Sequence, residues 1–176
     1  MSAGHVLIVV LRLLIPLSIP RYPLWGGIAS MLIDALDVVI IEVIGLGGFG
    51  DHYQTTDKLL DTYYLTIEWL LAFRWESPWA RWPALILFPY RLLGVALFEL
   101  TDRRVMLFIF PNMFENWWLY CMVVGRFFPS IYPRSWRSAA VPFALLLTVK
   151  MAQEWLLHYT EAQPWDWIKR NILGTE

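Results

Sequence analysis

Nine carboxylates fall in or beside stretches of this chain that are otherwise aliphatic and aromatic: Asp34, Asp37, Glu42, Asp57, Asp61, Glu68, Glu99, Glu115 and Glu154. Arg12, Arg91 and Lys150 are the bases of the same stretches. An ionised group at the centre of a bilayer costs at least about 2.5–3.5 kcal/mol on insertion scales, so such groups turn inward, pair, or line a cavity. Carboxylates gathered in this way do two kinds of chemistry. Their oxygens hold hard cations such as Mg²⁺, Mn²⁺ or Ca²⁺ rather than zinc, or they take up and hand on protons.

Spacing predicts that they gather. Asp57, Asp61, Tyr64 and Glu68 recur at i, i+4, i+7 and i+11, one face of a helix. Ser30, Asp34 and Asp37 share a face in the preceding segment, and Asn112, Glu115, Asn116 and Leu119 form a stripe in a later one. Lys150, Glu154 and His158 stand one turn apart, and Arg91 follows Pro89. We expect these faces to converge on one polar chamber. Asp34, Asp37 and Asp57 are its candidate metal ligands. Asp61, Glu154 and His158 are the candidate proton-transfer groups. Arg91, Lys150, Glu115 and Asn116 are the candidate substrate contacts, with the two bases facing a phosphate.

Plainer roles stand beside these. Lys150 and Glu154 form an i,i+4 pair that serves equally as an internal salt bridge. Arg91 is suited to neutralise an acid on a neighbouring helix. Asp57 is placed to cap a helix start beside Thr55 and Thr56. Repulsion among Asp34, Asp37 and Asp61 would be relieved by a bound cation, by protons, or by an arginine.

The segments that must position these residues read as membrane helices. The 176-residue chain is 58% hydrophobic and only 16% charged, with mean hydropathy +0.49, against about 25% charged residues in ordinary soluble domains. Eleven Trp, ten Phe and eight Tyr crowd the segment ends, where amphipathic rings settle at a membrane–water boundary. A spanning helix needs about 20 apolar residues, and six stretches qualify: 4–20, 25–49, 57–75, 79–100, 105–128 and 137–160. The first ends in Pro16 and Pro20 and carries Arg12 in its middle with no basic flank before it. It reads as a retained first span or half-buried anchor rather than a cleaved signal. Residues 161–176 alternate aromatic, charged and aliphatic side chains, as an interfacial tail does. The expected fold is an all-α polytopic integral membrane bundle of about six transmembrane helices, residues 1–160 forming a single domain in a bacterial cytoplasmic (inner) membrane.

Asp34-x-x-Asp37, followed after a glycine-containing turn by Asp57-x-x-x-Asp61, resembles the CDP-alcohol phosphotransferases over residues 34–61. The resemblance implies a six-helix bundle whose paired aspartates bind Mg²⁺ or Mn²⁺ while one of them deprotonates the attacking hydroxyl. The sequence departs from that pattern at several positions. Val38 and Tyr53 stand where the family has glycine, and Ile41-Glu42 where it has Ala-Arg.

Composition excludes several classes. A net charge of −1 gives no basic stripe for nucleic acid. Three histidines, His5, His52 and His158, are too few for a multi-histidine di-iron oxygenase, and one cysteine, Cys121, makes no intrachain disulfide. The leading expectation is metal- or proton-dependent processing of a lipidic substrate. Proton, cation or small-solute transport is the alternative, as is a non-catalytic accessory subunit. The bilayer, a lipidic substrate, and a homo-oligomeric or membrane-complex partner are the expected partners.

Overall fold

A computed structural model of the protein describes residues 3–44, 53–103 and 105–155. Among the described residues every regular element is helical. α1 (Ala3–Leu14) runs into a 3₁₀ turn (Ile15–Ser18), then come α2 (Pro23–Ile44), α3 (Tyr53–Ala72), α4 (Pro78–Thr101), α5 (Val105–Ile109) and α6 (Met113–Phe127). A second 3₁₀ turn (Pro129–Ile131) leads to α7 (Trp136–Glu154). The glycine-containing turn, His52, the tail 161–176 and His158 lie outside the described residues, as does the side chain of Asp37.

Proline sets many of the local features. Pro16 lacks the N–H that would continue α1, and the chain tightens into the 3₁₀ turn there. Tyr22 N–H then donates to the Ser18 carbonyl at 2.8 Å, reversing the chain into α2. Pro89, inside α4, leaves the Leu85 carbonyl without its intrahelical donor, and Trp69 Nε1 of α3 donates to it at 3.3 Å. The helix break thereby becomes a tie between helices. α4 ends on Asp102 in the left-handed conformation (φ 53°), whose N–H donates to the Phe98 carbonyl at 2.7 Å.

The fifth expected segment, 105–128, is two helices and not one. Pro111 interrupts it between α5 and α6. A break in a helix orphans carbonyls that need new donors. Tyr90 Oη donates to the Ile109 carbonyl at 2.6 Å and Arg91 Nη1 to the Phe110 carbonyl at 3.1 Å. Asn112 caps α6 by accepting from Glu115 N–H at 3.5 Å.

α3, α4 and α6 enclose the core. Trp117, Trp118, Phe114 and Cys121 of α6 are fully buried, against Tyr64 and Leu65 of α3 and Ala80, Ala84 and Phe88 of α4. The two small alanines admit the Trp117 ring, whose Nε1 donates to the Ala80 carbonyl at 2.9 Å. Phe88 stands 5.3 Å from Trp69 and 5.4 Å from Phe114 between ring centroids, within the range of favourable aromatic packing.

The outer surface is greasy. On α7, Val141, Leu145 and Val149 are 64–69% exposed while Lys150 and Glu154 are buried. On α3, Leu59 is 66% exposed and Glu68 is 0% exposed. By length and composition, however, one helix among the described residues qualifies to cross a membrane: α4, over Pro78–Thr101. Val6–Ser18 and Pro23–Leu36 are shorter apolar stretches. The expected count of six spans is therefore not carried by length and apolarity. α1, α5 and α6 have 12, 5 and 15 residues, and at 1.5 Å per residue the longest of these falls short of a hydrocarbon core of about 30 Å. α3 and α7 each carry several charged groups.

Gly94 of α4 faces the helix break so closely that an added Cβ would stand 2.2 Å from Phe110 Cβ. Gly125, by contrast, would meet only the edge of the Tyr132 ring at 3.3 Å. Gly94→Ala should lower stability by about 1–3 kcal/mol through overpacking, and Gly125→Ala by less, both measured by chemical unfolding in detergent. Equal effects of the two would show that the α4–α5 contact is looser than described.

Candidate functional site

Arg12 is the residue from which the polar interior is built. It sits on α1 with 2% of its side chain exposed, and a buried guanidinium requires anions around it. Nη1 donates to Asp57 Oδ1 at 2.6 Å, and Nη2 pairs with Asp34 Oδ1 and with Asp61 Oδ1. Nη2 also reaches the Asp57 carbonyl at 3.4 Å. One planar fork thus ties α1 to α2 through Asp34 and to two successive turns of α3 through Asp57 and Asp61. Arginine suits this role because its five donors are fixed in one plane and it keeps its charge when buried.

The three carboxylates offer oxygens that lie within 4.8 Å of one another. Three acids against one base leave the described cluster with an excess of negative charge, and repulsion at this range is eased by every proton it binds. The divalent metal implied by the phosphotransferase resemblance fits this oxygen set by type and spacing. It does not fit with Arg12 in place, because the guanidinium already donates to all three aspartates.

The face continues along α3. One turn beyond Asp61, Tyr64 Oη donates to Glu115 Oε1 at 2.9 Å, and Asn112 Nδ2 donates to Glu115 Oε2 at 2.8 Å. The break between α5 and α6 is what brings Asn112 and Glu115 here. One turn further lies Glu68, fully buried, with no hydrogen-bond partner at either carboxylate oxygen among the described residues. Gly27 of α2 and Trp118 of α6 close over it. A Cβ on Gly27 would stand 2.5 Å from the Trp118 ring and 2.9 Å from Glu68 Oε1. From Asp57 to Glu68 the file runs about 16 Å along the helix axis.

Beside Asp61 a small cavity of ≈ 10 Å³ is bordered by Thr62, Arg91 and Asn112, room for about one water molecule. Lys58, at its edge, pairs with Glu99 at 3.6 Å and rests its Nζ 4.1 Å over the Phe98 ring.

The residues singled out in the sequence thus fall into separate places. Asp34, Asp57 and Asp61 meet, while the side chain of Asp37 and all of His158 lie outside the described residues. Asp57 is not a helix cap: α3 begins at Tyr53, and Asp57 points to Arg12 from within the helix. Glu115 joins the file through Tyr64. Asn116, half-buried on α6, makes no side-chain hydrogen bond among the described residues, whereas Asn112, one turn earlier, does. Arg91 braces the broken helix through the Phe110 carbonyl and meets no acid among the described residues. Lys150 and Glu154 pair with each other at 3.0 Å, with Gln153 accepting from Lys150 at 3.4 Å. They sit on α7, which packs on α4, α5 and α6, the helices that carry Arg91, Asn112 and Glu115. Relief of the aspartates by an arginine was one of the expectations, but spacing did not single out Arg12 as the residue that meets Asp34, Asp57 and Asp61. Its one signal was a charged residue in the middle of an apolar segment.

Comparison of the chain with family models, curated proteins and solved structures finds no match to any of them.

Removing the hub should be costly. Arg12→Gln leaves three carboxylates facing one another, and the loss expected for breaking a buried ion pair from one side is about 3–5 kcal/mol. Arg12→Lys restores the charge without the fork and should recover only part of it. Chemical unfolding in detergent measures both, and a loss within about 0.5 kcal/mol, as at an ordinary surface site, would contradict the hub.

Proposed function

We propose that this chain is a multi-pass membrane protein, with about six membrane-embedded helical segments, that carries protons along the acidic face of α3. Two features support the membrane part. Apolar side chains point outward on α1, α2, α3, α4 and α7, with Leu14, Trp25, Leu59, Ile86 and Leu145 among the most exposed, while Arg12, Glu68, Lys150 and Glu154 are buried. Charge buried beneath an apolar exterior is suited to a lipid surrounding, and continuous apolar surface beyond a few hundred Å² marks an interaction or membrane face. Segments too short to span alone are accommodated when their broken ends are buried in protein, as at Pro111.

The observation that carries the proton part is Glu68. An ionised carboxylate sealed from water without a donor costs several kcal/mol, and taking up a proton removes that cost. Glu68 is therefore suited to hold a proton as a neutral acid and release it only when a partner or water reaches it. The other stations lie one helical turn apart, a spacing of about 5–6 Å between Cβ atoms that a rotamer change or a single bridging water spans. Asp61, beside the water-sized cavity, exchanges with the Arg12 cluster. Tyr64 and Glu115 stand between it and Glu68. Acid files of this kind are the usual material of intramembrane proton relays.

Metal-dependent work on a lipidic substrate is less well supported. It would require Arg12 to leave the aspartates, and the cavity at Asp61 admits a water but not a phosphate ester.

The test is proton flux into liposomes holding the purified protein and an internal pH dye, under an imposed potential. The wild type should acidify or alkalinise the lumen well above empty vesicles, and Glu68→Gln, which keeps the shape of the side chain, should reduce the rate by more than about tenfold. Flux no greater than in empty vesicles, or equal flux in both proteins, would reject the relay. Retention of Mn²⁺ by wild-type protein, lost in Asp61→Asn, would favour the metal reading instead.

A further inference from the structure

α4 and α7 begin side by side, tied where Ser77 Oγ donates to the Pro133 carbonyl. From that end an open groove of ≈ 400 Å³ runs between the two helices. Trp79, Pro83 and Ile86 form one wall and Trp136, Ala140 and Phe143 the other. Both sets are spaced i, i+4, i+7, so the groove is straight and about 10 Å long. Trp117 of α6 is its floor, and its lining side chains are all apolar. Its volume lies in the range of small-molecule sites, and an apolar trough between two helices suits a flexible hydrocarbon chain.

The mouth of the groove is positive. The segments 73–81 and 125–137, which meet at this end, carry Arg74, Arg81, Arg126, Arg134 and Arg137 against Glu76 as their one acid. The Arg137 guanidinium lies 5.4 Å over the Trp136 ring, which itself lines the groove. Arg81 is anchored through Nη1 to the Trp75 carbonyl at 3.4 Å. Arg134 is exposed. Arginine forks match phosphate oxygens, and Trp and Arg at one level are what a headgroup boundary selects.

We propose that this groove is a binding site for an anionic phospholipid, with an acyl chain laid between α4 and α7 over Trp117 and the phosphate against Arg137 and Arg134. This rests on the membrane reading above but not on the proton file, from which it shares no residue.

The test uses full-length protein in detergent, with retained phosphatidylglycerol and phosphatidylcholine compared by native mass spectrometry. Phosphatidylglycerol should be held at least about tenfold more tightly, the scale set by one or two arginines at an anionic headgroup. The Arg134→Gln, Arg137→Gln double variant should erase that preference. Ala140→Leu, at an exposed position that threatens no core packing, should fill the groove and release the lipid. Equal retention of the two lipids by the wild type, or phosphatidylglycerol binding indifferent to Ala140→Leu, would overturn the assignment. Lipid retention with no proton flux would sink the relay and leave this site standing. Flux without selective lipid retention would do the reverse.

Discussion

A guanidinium out of reach of water is the constraint around which the N-terminal half is organised. Arg12 cannot be buried on α1 unless negative charge comes to it, and the nearest acids in the fold are on α2 and α3. Asp34, Asp57 and Asp61 supply that charge from sequence separations of 22 to 49 residues. Each ion pair is a crossing between helices. Tyr63 Oη, donating to the Leu13 carbonyl at 3.2 Å, adds a neutral tie at the same junction. Among the described residues the junction carries three carboxylates against one guanidinium.

The rest of the bundle extends that polar interior while excluding water from it. α6 sets Trp118 over Glu68, and Trp118 Nε1 donates to the Glu68 backbone carbonyl at 3.2 Å, which fixes the ring without satisfying the carboxyl group. Gly27 is needed at the same contact, since any side chain there would displace Trp118 or Glu68. The break at Pro111 delivers Asn112 and Glu115 at mid-file. Its stray carbonyls are absorbed by Tyr90 and Arg91, so the irregular backbone keeps its hydrogen bonds within the protein.

Much of this was legible in the sequence because helical spacing is local. The i, i+4, i+7, i+11 row on α3 follows from 3.6 residues per turn, and Asp57, Asp61, Tyr64 and Glu68 do share a face. Some helix starts were legible as well: α2, α4 and α7 begin within two residues of the expected 25, 79 and 137, since Pro, Gly and Trp clusters mark helix ends. Long-range geometry was not legible. Nothing in the spacing tells which acids a lone arginine 22 to 49 residues away will collect, so the metal set of Asp34, Asp37 and Asp57 took no account of Arg12. Pro111 was visible, but apolar residues on both sides of it hid the division into α5 and α6. The Lys150–Glu154 pair was visible too. Which helices α7 packs against was not.

The most direct test of the account is the coupling energy between Arg12 and Asp61. A double-mutant cycle with Arg12→Gln and Asp61→Asn, read by unfolding in detergent, isolates it. The account predicts coupling of more than about 1 kcal/mol, within the range found for contacting charged residues, with the double variant more stable than the sum of its single losses implies. Additivity within about 0.3–0.5 kcal/mol, as for distant sites, would show that the two groups do not meet, and would contradict the arginine-centred interior.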